Sequence, residues 1–543
     1  MPPNESSLMD EIGLDGAKQS RALDAAAEIA TRDEHSLNFW QAVRRYPTAT
    51  FWAIALSFTI IMEGYDTILI TNFYAYPQFK KKYGTFYPGL NEWLIPTSWQ
   101  VALSLAPTSG SVIGLIINGF VTERFGHRQV IMVSLSVLCA FIFIPFFAPN
   151  LPVLLLGLIL CSIPWGVFGI LGSAYASEIC PLALRGILTS FINICWVIGQ
   201  LVAAGVLQGL INNPTEWAFR IPLALQWMWP VPLFVLAFMA PDSPWWLIRK
   251  NRIAEAKGVL TRLSHQGVSS EEIETKLAMM IHTNNLEAAT KTESTYSDCF
   301  QGTNLRRTEI ACMVLMAQTL SGEQFAYGST YFFTQAGLSS ANSYKLNFIG
   351  FAVAFVATCC SWVLMRWFGR RSMIIGGLTL MTLTLLIIGA LSYPAATSNV
   401  DTWTQAILTL VWLAIYSITL GPQSFALAAE ISATRVRSQT LSLARNAYIC
   451  TNLITGLIEP YLINPTAANL KGKTAFVWMG IATLSIVWCI FRLPETKGRT
   501  YEELDILFEK GTPAWKFKSA DIDLIRDASE ISGKTEKVEH EPA

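Results

Sequence analysis

Charge is scarce in this sequence. Of 543 residues only 14% are Asp, Glu, Lys or Arg, against 52% hydrophobic, and the mean hydropathy is +0.39. A soluble globular chain carries about a quarter charged residues, so most of this surface is not built for water. The net charge is zero, and no basic face asks for nucleic acid. Metal-ligand and redox patterns are also missing. The ten cysteines form no CxxC pair, most sit inside apolar runs (Cys139, Cys161, Cys195, Cys312, Cys359, Cys360, Cys450 and Cys489), and the five histidines are scattered. They read as apolar filler, with no metal site and no cofactor. There is no HExxH, no GxSxG and no phosphate loop, so nothing points to an enzyme. Nor is there an apolar run before Phe51; the expectation is no cleavable signal peptide, with the first apolar segment acting as the membrane signal.

Long apolar runs are what the sequence has. Each is near the roughly 20 residues a helix needs to cross hydrocarbon. They fall at about 51–74, 97–120, 129–148, 152–174, 187–210 and 221–240, then 309–334, 345–365, 373–393, 404–428, 437–462 and 474–492. The first, tenth and eleventh are the most interrupted by polar residues. The expected fold is therefore an all-α integral membrane protein of twelve transmembrane helices. Its expected divisions are an N-terminal segment 1–50, a six-helix bundle 51–240, an intervening loop 241–308, a second bundle 309–492 and a charged tail 493–543, disordered at its end. Basic residues flank one side of the topology: Arg44 and Arg45, Arg124 and Arg128, Arg185, Arg370 and Arg371, Arg437, Lys497 and Arg499. The positive-inside rule makes that side, and both termini, cytoplasmic. Lys80–Lys82 break the rule in the first outer loop.

The two halves echo each other. Gly126 in RFGHR answers Gly369 in WFGRR; Glu178 answers Glu430 and Arg185 answers Arg437, both 252 positions on; Pro241 in PDSP answers Pro494 in PETKGR. Repeated six-helix halves with a cargo site between them near the membrane midplane are a transporter architecture. Acidic and basic residues at the helix ends (Glu123, Arg124, Arg128, Glu178, Arg185, Arg370, Glu430, Arg437) suit a latch that holds one state while the halves rock.

The string Gly119 to Arg128 (GFVTERFGHR) resembles the loop motif of the major facilitator superfamily. Tyr175, Glu178, Pro181 and Arg185, with the PDSP and PETKGR strings, resemble its sugar porter branch. Glu63-Gly64-Tyr65-Asp66, Pro164-Trp165-Gly166, Tyr327 to Phe333 and Leu443 to Tyr448 are most similar to the fungal α-glucoside (maltose)–proton symporters. The resemblance spans about 50–505. It implies alternating access in a multi-pass protein of the plasma membrane, with a sugar, α-glucoside by preference, and protons as cargo.

Charge within a span costs about 2.5–3.5 kcal/mol on insertion scales and so marks function. Glu63 and Asp66 share one face of the first span, Glu323 lies in the seventh and Arg445 in the eleventh. Asp66 matches the family's proton-carrying aspartate, which makes Asp66, Glu63 and Arg445 the candidate coupling group. A sugar needs amides and hydroxyls plus aromatic faces. Gln200, Gln318, Gln324, Tyr331 and Asn452 offer the first, and Trp165, Phe425 and Tyr448 the second. Gln200, Gln318 and Gln324 match sugar-binding positions of the family. Departures from its patterns are Ser111, where the α-glucoside group places a glutamate, and Leu158, Thr319 and Phe425, where hexose porters place arginine, glutamine and tryptophan. A uniporter or symporter of a hexose or other small metabolite and a non-transporting nutrient sensor are the alternatives.

Overall fold

In a computed structural model of the chain, residues 39–519 are described, apart from 90, 181, 265–268, 291–295, 394–398, 434–435, 498 and 500. Twelve helical crossings follow one another. In the first half they are Pro47–Ser57 continued by Thr59–Phe73, Thr97–Phe125, His127–Phe141 continued by Phe143–Phe146, Leu151–Ile179, Leu182–Leu210, and Trp217–Ala224 continued through Leu225–Met228 to Pro230–Met239. In the second half they are Gly302–Leu320 continued by Glu323–Tyr327 and Ser329–Gln335, Ser340–Trp367, Arg370–Leu391, Asn399–Ile418 continued by Leu420–Ile431, Arg437–Ile463, and Thr474–Arg492.

Ten of these are long and apolar enough to cross a membrane by composition alone; the seventh and eleventh are not. Those two carry most of the polar residues expected at the cargo site (Gln318, Gln324, Tyr331, Arg445 and Asn452), with Gln200 in the fifth. The interrupted first span passes the same test, and it is buried along most of its length, so protein rather than lipid surrounds its polar side chains. Large apolar side chains instead stand out from the bundle: Phe120 is 77% exposed, Trp367 73% and Leu484 71%. In water such a surface would be a liability; against lipid tails it is the expected outer face.

Within the first half the first span packs on the fifth, and the second on the fourth. Small residues permit the close approach. A Cβ on Gly64 would come within 2.3 Å of the Trp196 carbonyl oxygen, and one on Gly114 within 1.9 Å of that of Ile163. The second half repeats the scheme, with the seventh span on the eleventh and the eighth on the tenth. The halves meet along two seams, fifth with eighth and second with eleventh. A twofold exchange of the halves turns each seam into the other, so the sequence repeat is also a repeat of packing.

The face that carries both ends of the described residues, here the proximal face, holds most of the remaining helices. Helices Pro244–Arg249, Ile253–Leu263 and Ser270–Thr290 lie in the intervening segment, tied to the helix Phe39–Arg45 ahead of the first span by Arg45 and Glu272 at 2.6 Å. The seventh helix begins at Gly302, ahead of the expected apolar start. Helix Tyr501–Glu509 orders part of the tail, with Asp505 paired to Arg307 at 2.6 Å. The end of the tail, 520–543, lies outside the described residues. The distal face bears an unexpected hairpin, Thr85–Tyr87 paired antiparallel with Glu92–Leu94. Lys82, exceptional for its side of the membrane, pairs with Glu216 at 2.9 Å and lies over the Tyr83 and Phe219 rings. Its charge is met locally.

Candidate functional site

A cavity of about 220 Å³ lies between the halves, walled by the first, second, fifth, seventh, eighth, tenth and eleventh spans. Broken helices bring polar groups to it. The seventh span stops at Ser321, turns through Gly322 at φ +97° and restarts at Glu323. A side chain at Gly322 would be strained by that φ, and its Cβ would sit 3.2 Å from Trp478. The break delivers Gln318, Glu323, Gln324 and Tyr327 to the cavity. The tenth span breaks at Thr419, beside Gly421 and Pro422 in the wall. Unwound backbone at membrane depth is tolerated where it lines such a cavity.

Seven of the expected site residues share this wall: Gln200, Gln318, Gln324, Phe425, Arg445, Tyr448 and Asn452. Tyr416 donates to the Gln318 Oε1 at 3.0 Å, which leaves the buried Gln318 Nε2 without a partner. Gln200 approaches the Tyr327 hydroxyl across the seam, and Thr108 Oγ1 donates to Asn452 Oδ1 at 3.4 Å, also across the halves. Tyr331 lines a smaller chamber on the distal side instead. Trp165 does not reach either space: it is buried in the core of the first half, among Leu171, Phe168 and Met62. Pattern alone cannot separate an aromatic that packs from one that stacks on cargo. Tyr416, Trp196, Asn193 and Thr71 also line the wall and carry no signal in the sequence, because each passes for ordinary span filler; Tyr327, the head of a matching string, lines it too.

The Arg445 guanidinium lies over the Tyr448 ring at 5.0 Å and the Phe425 ring at 5.7 Å. It is within electrostatic range of Glu63 in the other half and of Glu323 in its own, without a direct ion pair to either. The Tyr416 and Tyr448 hydroxyls approach Glu323. Glu63 and Asp66 are both buried, at 8% and 3% exposed. Neither lines the cavity. Glu63 faces Gly169 of the fourth span, and the Gln226 amide of the sixth approaches Asp66.

At the distal end the halves are closed on each other. Tyr344 donates to the Asn72 carbonyl, Asn464 Nδ2 to the Ile95 carbonyl at 3.3 Å, and the Thr97 and Thr466 hydroxyls meet at 2.9 Å. Gln100 Nε2 donates to Tyr331 at 3.4 Å, and Tyr74 packs edge-on to Tyr331.

The proximal motifs repeat in three dimensions. In the first half Glu178 accepts from Ser243 of PDSP, pairs with Arg249 at 2.8 Å and lies 3.7 Å from His127. In the second, Glu430 accepts from Thr496 of PETKGR and pairs with Arg370 at 3.1 Å. Glu495 accepts from the Arg370 backbone N–H at 2.8 Å, the Glu123 carbonyl from Trp246 Nε1 at 3.1 Å, and the Phe238 carbonyl from Arg128. Arg124 lies over the neighbouring Phe125 ring. Each contact stays within one half. The Arg185 side chain lies outside the described residues, and Arg437 heads the eleventh span.

The family model described as sugar (and other) transporter matches residues 52–508. A general alpha-glucoside permease of Saccharomyces cerevisiae is 37% identical over 519 residues, covering 95% of this chain and 84% of the relative. A maltose permease of the same yeast is 37% identical over 526 residues, covering 96% and 84%. Among solved structures, the Escherichia coli xylose transporter XylE in a partially occluded inward-open conformation superposes with a TM-score of 0.68 at 18% identity, over 84% of this chain and 100% of that one. XylE bound to 6-bromo-6-deoxy-D-glucose gives 0.65 at 19%, over 86% and 100%. The chain, a multi-pass membrane protein of the major facilitator fold, belongs to the sugar transporter family.

Proposed function

We propose that the protein carries an α-glucoside such as maltose into the cell across the plasma membrane, coupled to protons, with the proximal face and both termini cytoplasmic. The observation that carries this reading is the cavity itself. Gln200 from one half and Gln318, Gln324 and Asn452 from the other converge with Tyr448 and Phe425 on one space between two packing repeats. Amides that donate and accept at once, backed by aromatic faces, suit a neutral polyhydroxylated ring. The kinship with α-glucoside and maltose permeases supports the choice of sugar.

The distal closure leaves this form facing the cytoplasm, and rocking along the two seams opens the other side. Coupling falls to the buried charges around Arg445. A carboxyl that approaches this guanidinium favours its charged form, and one that loses it favours the proton. Glu323 in the cavity wall and Glu63 behind it, with Asp66 one helical turn further on, are positioned for that exchange. The proximal acids and bases, Glu178 with Arg249 and Glu430 with Arg370, brace each half at its inner end as it moves. Uptake of a labelled sugar panel by cells lacking their own carriers, with and without a protonophore, tests the reading. Accumulation of maltose that the protonophore abolishes is expected. Uptake confined to hexoses overturns the cargo, and uptake indifferent to the protonophore overturns the coupling.

A further inference from the structure

The distal chamber is small, about 40 Å³, and it adjoins the main cavity: Thr71, Ser104 and Gln324 line both. Its other walls are Tyr74, Gln100, Gly328, Tyr331, Gly456, Glu459, Pro460 and Ile463. Glu459 supplies the one carboxyl among them. It is 8% exposed, its Oε2 accepts from Trp478 Nε1 at 2.7 Å, and its Oε1 is buried with no partner. A buried carboxyl oxygen left unsatisfied costs about 1–3 kcal/mol, so a fold that keeps one beside a cavity has a use for it. Neither the cargo wall nor the charges around Arg445 supply that use.

The eleventh span sets the spacing. Asn452 in the main cavity and Glu459 in the distal chamber stand seven residues apart on one helix face, a rise of about 10 Å. Gly456 lies between them, one turn from each. Its missing side chain keeps the way open: a Cβ there would already lie 3.5 Å from Leu105 and 3.9 Å from Gln324 Nε2. A single ring held by Gln318, Gln324 and Asn452 leaves the distal chamber empty. A second ring joined to it extends along the span toward Glu459, Gln100 and Tyr331.

We propose that the distal chamber is a second sugar subsite, in which the Glu459 carboxyl hydrogen-bonds a hydroxyl of the outer ring and so selects two-ring glucosides over one-ring glucosides. The proposal rests on the α-glucoside reading above. Closure of the halves through Gln100 and Tyr331 then folds the roof of the chamber over that ring. A net hydrogen bond contributes about 0.5–1.5 kcal/mol, or roughly 2- to 12-fold in affinity.

The test compares uptake of labelled maltose and labelled methyl α-glucoside by the full-length protein, at matched surface abundance, in wild type, Glu459→Gln and Gly456→Val. Glu459→Gln keeps the shape, and Gly456→Val narrows the passage. Expected is a rise of roughly 2- to 12-fold in the half-saturation concentration for maltose in both variants, with methyl α-glucoside unchanged. Preserved methyl α-glucoside uptake also shows that the variants fold. Equal losses for both sugars, or no change for either, overturn the subsite while leaving the cargo reading intact. A wild type that takes up neither sugar overturns the cargo reading and the subsite together.

Discussion

Tyr416 offers a direct measurement of how the cavity wall is held ready. Its hydroxyl donates to Gln318 Oε1 at 3.0 Å, and its ring stacks on Trp412 at 5.4 Å with an interplanar angle of 8°. The hydroxyl fixes the Gln318 amide in the cavity wall, with its Nε2 buried and unpartnered. Tyr416→Phe keeps the stacked ring and removes only the donor. A net hydrogen bond contributes about 0.5–1.5 kcal/mol, so a freely turning Gln318 should weaken half-saturation by roughly 2- to 12-fold. Gln318→Ala removes the amide itself and should cost at least as much. The decisive comparison is the double variant. If Tyr416 acts through Gln318, Tyr416→Phe adds little in the Gln318→Ala background, and the coupling energy is about 1 kcal/mol. The assay is concentration-dependent maltose uptake at matched surface abundance for all four proteins. Additivity within about 0.3–0.5 kcal/mol would refute the reasoning, because the hydroxyl would then serve something other than the glutamine.

Three further outcomes follow from the same structure. Gly64→Ala drives a Cβ into the Trp196 carbonyl, 2.3 Å away in the present packing; it should cost about 1–3 kcal/mol or more and lower thermal stability in detergent, and a variant as stable as wild type contradicts the close packing of the first and fifth spans. Arg445→Ala, Glu323→Gln and Glu63→Gln should each abolish protonophore-sensitive accumulation; a variant that still concentrates maltose removes that residue from the coupling group. At the proximal face, burial holds Asp242 above the ordinary aspartate value, while Arg128, Arg252 and His127 pull it back. A carboxyl whose folded value is raised penalises the folded state once pH exceeds that value, and the penalty fades as pH falls through it. Asp242→Asn should therefore leave thermal stability at pH 7 unchanged or slightly higher, with the difference from wild type shrinking toward pH 4; a marked loss at pH 7 reverses the sign and refutes the argument.

What the sequence determined by itself follows from solvent. Hydrocarbon satisfies no backbone group, so each crossing must be a helix of fixed minimum length, and the apolar runs count out twelve. The polar residues inside those runs were legible for the same reason: Gln200, Gln318, Gln324, Asn452 and Arg445 are costly in lipid wherever they point, and all five line the cavity. The repeat was legible because Glu178 and Glu430, or Gly126 and Gly369, serve like local geometry in each half. Tertiary structure alone decided what depends on partners far away in the chain. Trp165 and Tyr416 are both large aromatics in apolar spans, yet one is core and the other positions a cavity amide. Asp66, matched by motif, lies behind the wall, while Glu323 stands in it. Glu459 gave little signal near the end of a polar span, and its meaning comes only from Trp478 on the twelfth helix and from the chamber beside it. Helix periodicity places a side chain on a face; which neighbour that face meets is set by the crossing of spans hundreds of residues apart, and no local pattern encodes it.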